Sequence, residues 1–164
     1  MDGLKGVART RHHVAIDISN GNGAWEAALS NVVSAGDTVL VLATGRFAIG
    51  WGEMAEALGV EVELMDFGRA GTIDYERVGE RLRADPGHKI KAVMAVHVDT
   101  STSVRTDIPA LRALLDAAGH PALLMADCIA SLGCQRFAMD AWGSDVIGAG
   151  SQQRRLGPAG TAVG

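Results

Sequence analysis

Five apolar residues, Ala122 to Ala126, run without interruption between Pro121 and the carboxylate of Asp127. A short apolar run bounded by turn residues reads as a strand buried on both faces. A doubly buried strand needs helices above and below it, so this stretch restricts the fold more than any other. In open α/β sheets ligands sit beyond the carboxyl ends of the strands, which makes Asp127 a candidate site residue. On local grounds it serves equally well as the cap of the following turn.

The rest of the chain repeats this pattern. Val14–Ile18 is a short β-prone run. Ser19-Asn20-Gly21-Asn22-Gly23 follows, and then Ala24–Val33, whose Ala, Glu and Leu residues carry apolar positions at helical spacing. Thr38–Ala43 is a second buried strand, followed by a helix to about Leu58. Val60–Met65 is a third strand, and Tyr75–Ala84 a charged, exposed helix. Ile90–Val98 reads as one long apolar strand containing His97, with Asp99, Thr100, Ser101 and Thr102 after it. Asp107–Ala118 is a helix with Pro109 in its first turn, and Asp145–Ala149 a last short strand. Asp2–His13 is polar and basic and suits a frayed helix end. Strands alternating with helices predict an α/β fold, a mostly parallel sheet with helices on both faces. The 21 glycines suit its many tight strand–helix turns.

Composition narrows the function. At 164 residues the chain supports one domain with a sizeable core. A net charge of −4 without a long basic run argues against nucleic acid. No apolar stretch approaches the roughly 18 residues of a membrane span, and no apolar signal core follows the first residues, so a cytoplasmic protein is expected. Cys128 and Cys134 lack metal-ligand spacing and read as buried thiols.

Three further stretches could carry chemistry. Ser19–Gly23 is either an ordinary tight turn or a helix start whose free N–H groups bind an anion such as a phosphate. A dinucleotide fingerprint would need glycine where Glu26 stands, and no acidic residue ends the Thr38–Ala43 strand, which disfavours NAD. Phe47, at the mouth of that strand, is core or covers a planar ring. Trp25 and Trp51 read as packing. His97 and the hydroxyls of Thr100, Ser101 and Thr102 lie at the carboxyl edge, where they meet a ligand or satisfy turn amides and helix caps. No Ser-His-Asp order and no HExxH pattern supports a hydrolase or a zinc enzyme.

Taken together, NGNGAWEAALSNVVSAGD, ATGRFAIGWGEMAEALGVEVE, HVDTSTSV, ADCIASLG, MDAWGSDV and GAGSQ, in that order, resemble the large domain of class V pyridoxal-phosphate (PLP) aminotransferases. The resemblance is strongest to the serine–glyoxylate and alanine–glyoxylate enzymes and spans about residues 2–152. It implies the large-domain fold of fold-type I PLP enzymes, PLP as cofactor, amino acid and 2-oxo acid substrates, and a homodimer. By the same resemblance, Asn20, Gly21, Asn22 and Gly23 hold the cofactor phosphate, and Phe47 stacks on the pyridine ring. Thr100 contacts the ring substituents, Asp127 pairs with the pyridinium nitrogen, and Ile129 packs on the other face. Ser151 and Gln152 lie at the phosphate end. Asn20 and Asn22 depart from the family's usual SGTG or SGHC.

After Gln152 the resemblance breaks. The family reads GSQK, with the Schiff-base lysine last, whereas this chain reads Gly150-Ser151-Gln152-Gln153 and continues RRLGPAGTAVG. The expected organisation is a PLP-binding core over residues 1–151, incomplete at both ends, and an aberrant tail over 152–164. A frame shift after residue 152 would account for both the tail and the missing lysine. The parent reaction implied is amino transfer from serine or alanine to glyoxylate. The alternatives are a non-catalytic remnant or interaction module, favoured by Gln153, and another class V activity such as cysteine desulfuration.

Overall fold

A computed structural model describes residues 2–150 and the backbone of 162–163. The elements in order are α1 (Asp2–Ala8), β1 (Ile16–Asp17), α2 (Gly21–Val32), β2 (Thr38–Ala43), α3 (Arg46–Ala57), β3 (Glu61–Asp66), α4 (Tyr75–Arg83), β4 (Ile90–Val96), β5 (Val98–Asp99), β6 (Val104–Arg105), α5 (Ile108–Ala118), β7 (Leu123–Asp127), α6 (Met139–Trp142), β8 (Val146–Gly150) and β9 (Ala162–Val163).

Seven strands form one sheet in the order β1-β9-β8-β7-β4-β2-β3. The five from β8 to β3 are parallel, and β9 runs antiparallel to both β8 and β1. Parallel neighbours require crossovers, and the helices between strands supply them. Their boundaries have local causes. Asp74 and Asp107 cap α4 and α5 by accepting the N–H groups of Arg77 and Ala110. Gly119 closes α5 in the left-handed region at φ 59°.

Register sorts the strand side chains into two layers. Leu40, Val93 and Leu124 stand opposite one another, as do Val41, Met94 and Met125 in the next row. Because side chains alternate along a strand, the two rows face opposite sides. The first row joins a core with Val78, Leu82, Ile108, Leu111 and Leu115 of α4 and α5. The second packs with Trp25, Leu29, Trp51 and Ala55 of α2 and α3. Both faces are therefore covered, as the apolar run at Ala122–Ala126 requires.

Two expectations are corrected. Ile90–Val98 is not one strand: β4 ends at Val96, and β5 leaves the sheet to pair with β6 in a separate antiparallel ribbon. Thr106 braces the point of departure, its N–H donating to His97 O at 2.9 Å and its hydroxyl to Val96 O at 2.8 Å. Cys128 is a buried thiol as expected, but Cys134 is exposed, in the turn that follows Gly133 at φ 86°.

Candidate cofactor site

The alternation that builds the core also decides which end groups meet. Asp127 shares the parity of Met125, so its side chain lies on the α2–α3 face. There it joins Asn20, Gly21, Asn22, Trp25, Phe47, Val98, Thr100, Ile129 and Ala130 around a pocket of about 190 Å³. These residues come from four loops or helix starts at the carboxyl edge of the sheet. His97 has the parity of Val93 and Ala95 and goes the other way. It is buried between Phe137 and Trp142, with its Nδ1 2.9 Å from Ser131 Oγ. Burial, aided by the charge of Arg105, pushes its pKa down to about 4, as befits a neutral core imidazole. His97 is therefore packing.

The floor of the pocket is the Asp127 carboxyl group. It is 4% exposed. Its Oδ1 accepts the Ile129 N–H at 2.7 Å. Oδ2 has no hydrogen-bond partner among the described residues. Burial pushes the pKa up to about 6, the Ile129 N–H opposes this, and the Asp99 carboxylate adds a smaller upward push. The buried Trp25 indole N–H pulls downward without completing a hydrogen bond. A carboxylate with one satisfied and one open oxygen at the base of a pocket is arranged to receive a cationic or N–H donor.

One wall is the start of α2. Asn20 is its cap, accepting the Gly23 N–H at 3.2 Å. Gly21 and Asn22, in the first turn, have N–H groups without an intrahelical acceptor, and both line the pocket. Two glycines here are closely packed, Gly23 by necessity and Gly21 against the movable end of the Ile129 side chain. A Cβ at Gly21 would come 2.8 Å from Ile129 Cδ1, and one at Gly23 would collide with Ser19. Gly23 thus supports the turn without lining the cavity.

The opposite wall is Phe47, 41% exposed, so it is not core. Its ring stands edge-on to Trp25, centroids 6.5 Å apart, and Trp25 stacks on Trp51 at 6.1 Å. Trp25 thus packs as expected and also lines the pocket, a role that helical spacing could not reveal. Phe47, Trp25 and Asn22 also border a wider cleft of about 1140 Å³ that extends past Arg46 and Glu53 to Asp66 and Arg69. The smaller pocket is the better candidate because it alone holds the open carboxylate.

The hydroxyls after β5 divide between two tasks. Thr100 lines the pocket. Ser101 Oγ accepts the Arg46 N–H at 2.9 Å, and the Thr102 hydroxyl donates to Thr44 O at 2.9 Å, so both bind the entrance of α3. Ser151 and Gln152, expected at the phosphate end, and Gln153 lie outside the described residues. No His, Cys, Asp or Glu cluster suited to a metal occurs among the described residues. None of their helices is long and apolar enough to cross a membrane.

Comparisons with known proteins identify the family and the fold. The family model described as aminotransferase class V matches residues 10–163. The chain is 40% identical over 164 residues to an L-aspartate–glyoxylate aminotransferase of Paracoccus denitrificans, covering 99% of this chain and 41% of that protein. It is 44% identical over 145 residues to a serine–glyoxylate aminotransferase of Methylorubrum extorquens, covering 88% of this chain and 36% of that protein. Among solved structures, an aspartate aminotransferase of Thermus thermophilus superposes with a TM-score of 0.88 at 30% identity, over 98% of this chain and 44% of that one. The chain thus spans about two fifths of the length of these relatives. A parallel sheet with an open carboxylate at its carboxyl edge, and a family match over nearly its whole length, place this chain in the class V aminotransferase family, whose enzymes depend on PLP.

Proposed function

We propose that this chain is the PLP-binding core of a glyoxylate-dependent aminotransferase, the parent reaction transferring an amino group from serine or alanine to glyoxylate. The observation that carries this reading is Asp127: a buried carboxyl group with one open oxygen, at the base of a pocket flanked by Phe47, Ile129 and the start of α2. The donor set fits the cofactor at each point. The N–H groups of Gly21 and Asn22, with the Asn20 and Asn22 side chains, suit a phosphate at the positive end of the helix dipole. Phe47 and Ile129 supply apolar surface for a flat ring. Thr100 offers a hydroxyl to the ring's polar substituents. Asp127 suits the protonated ring nitrogen, and an ionised Asp127 keeps that nitrogen protonated. When bound, PLP supplies an electron sink that stabilises negative charge at the amino acid's α-carbon.

In the same reading, residues 1–151 are the cofactor-binding core and 152–164 a tail of different character. Gln153 stands where the family has its covalent lysine. A glutamine amide is neither nucleophilic nor basic, so this chain holds PLP without a covalent bond and does not turn over alone. The substrates of the parent enzyme are an amino acid and a 2-oxo acid, and its assembly is a homodimer. Ile49, exposed on the first turn of α3, is apolar surface suited to a second copy.

The test is titration with PLP beside a melting curve for wild type and Asp127→Asn. Asparagine caps a turn about as well as aspartate. Loss of PLP affinity with the fold intact is expected; equal affinity in both proteins would sink the cofactor role of Asp127.

A further inference from the structure

Two residues that line the pocket, Phe47 and Thr100, sit on separate elements that have no covalent reason to stay in register. Between them lies a carboxylate with no place in the proposed cofactor contacts. Asp99 is completely buried, at 0% exposure, and no cation pairs with it among the described residues. Its Oδ2 accepts the N–H groups of Phe47 and Ala48, each at 3.2 Å. Its Oδ1 accepts the Ser101 N–H at 3.0 Å and the Ser101 hydroxyl at 2.6 Å. Ser101 Oγ in turn accepts the Arg46 N–H. The residue at the ordinary capping position of α3 is Gly45, which has no side chain to cap with. Its bareness is required: a Cβ there would come 2.5 Å from Asp99 Cγ and 2.6 Å from Ser101 Oγ. The cap of α3 is therefore supplied from a loop more than fifty residues away, and the helix dipole offsets the buried charge.

We propose that Asp99 is a positioning residue: by capping α3 from the loop that carries Thr100, it locks Phe47 and Thr100 into one unit around the cofactor pocket. This rests on the cofactor reading above. All four groups on the Asp99 carboxylate are donors, two backbone N–H groups on one oxygen, a backbone N–H and a hydroxyl on the other. An asparagine amide has a single acceptor oxygen, so either orientation aims its NH₂ at a backbone N–H. The α3 start or the Thr100 loop must then let go. Asp99→Asn, nearly identical in shape, thus removes the tie without leaving a cavity.

The experiment is a double-mutant cycle on the full chain, read by PLP titration, with Asp99→Asn and Phe47→Ala as the two changes. Asp99→Asn is expected to weaken PLP binding about tenfold, the scale of a lost charge-assisted cap. In the Phe47→Ala background the same change should cost distinctly less, because the part of its effect that runs through the Phe47 ring is already gone and only the part through Thr100 is left. Ser101→Ala, milder if Asp99→Asn unfolds, should weaken binding about threefold: it loses the hydroxyl's bond to Asp99 Oδ1 and its acceptance of the Arg46 N–H but leaves the Asp99 bonds to Phe47 and Ala48 in place. A second readout needs no cofactor: the nuclear Overhauser contact between the Phe47 ring and the Trp25 indole should be lost or weakened in Asp99→Asn. Equal losses of PLP affinity in both backgrounds, or an unchanged Phe47–Trp25 contact in folded Asp99→Asn, overturn the proposal. Absence of saturable PLP binding by wild type removes the cofactor reading, and the Phe47–Trp25 contact then decides the positioning role by itself.

Discussion

The two ends of the sheet each bury a carboxylate, and the two are tuned in opposite directions. At the amino end Asp85 accepts the Ile90 N–H at 2.9 Å and faces His120 Nε2 at 3.2 Å. His120 Nδ1 accepts the Ala122 N–H, so the ring's donor is assigned to Nε2 and points at Asp85. The Ile90 N–H is the largest influence on Asp85, which is held at about 2, well below the usual carboxylate range. At the carboxyl end Asp127 has one N–H and an open oxygen, and burial pushes it up to about 6. The chemistry of the side chain is the same in both places. The difference is in the partners: Asp85 Oδ2 takes both the Ile90 N–H and the His120 Nε2 donor and so joins the loop before β4 to the loop before β7, whereas Asp127 takes a single N–H, from its own loop, and borders a pocket. A buried carboxylate with an unspent acceptor costs stability in the empty protein, and that cost is what a cationic ligand recovers.

The largest expected effect comes from removing this asymmetry. Asp127→Asn should lower PLP affinity at least about thirtyfold, the scale of a buried charge pair losing one partner. It should also raise the melting temperature of the empty chain at neutral pH, by the equivalent of up to about 3 kcal/mol for a shift of this size. A fall in melting temperature would mean that Asp127 is a structural acceptor like Asp85.

Asp85→Ala should do the reverse. It leaves the Ile90 N–H and the His120 ring without their acceptor and should cost about 2 kcal/mol of stability at pH 7. PLP affinity, measured on the folded fraction, should not change. The sign of the pH dependence follows from the lowered pKa: the Asp85 contribution is present above about 3.8 and lost as pH falls through about 2. Denaturant titrations of both proteins down that range should converge if the assignment is right.

A third measurement follows PLP affinity against pH. If Asp127 pairs with the ring nitrogen as proposed, protonating it removes that partner, so affinity should fall as pH drops below about 6, by up to about tenfold per unit. In the empty chain the same raised pKa has the opposite consequence. The folded form binds the extra proton between about 3.8 and 6, so the Asp127 contribution to stability declines as pH rises through that window. Asp127→Asn should abolish both slopes; an unchanged binding profile would assign the titration elsewhere.

The smallest expected signal concerns lysines, which the two ends also divide unequally. Lys89 precedes β4 and Lys91 is its second residue, at the amino end, Lys5 is in α1, and none of the three lines the pocket. Borohydride reduction after adding PLP should therefore give only scattered, sub-stoichiometric labelling by mass spectrometry. Gln153→Lys should concentrate the label at that one position. Stoichiometric labelling of a single lysine in the unmodified chain would show the reading of Gln153 to be wrong.

Part of the site is legible in the amino-acid sequence. Asp127 stands out because an apolar run ends in a charge, and the glycines at 21 and 23 because a strand, a turn and a helix follow one another there. Thr38–Ala43 is β2 with the same limits, and α4 and α5 begin where Asp74 and Asp107 mark their caps. Features that depend on a partner distant along the chain are not legible in this way. The capping of α3 by Asp99, the place of Trp25 in the pocket and the ribbon that splits Ile90–Val98 leave no local signature.

For α2 to α5 and for β2, β3, β7 and β8, the order, type and approximate limits were determined by the sequence alone, because periodicity, caps and glycine turns act within a few residues. Which face each end group occupies was decided only by the tertiary structure. A strand buried on both sides is apolar at every position, so its pattern does not alternate and assigns no side chain to a face. His97 and Asp127 look equivalent in the sequence, each at the end of such a run. Register against neighbouring strands, and the helices covering each side, send one into an aromatic core and leave the other at the base of a pocket.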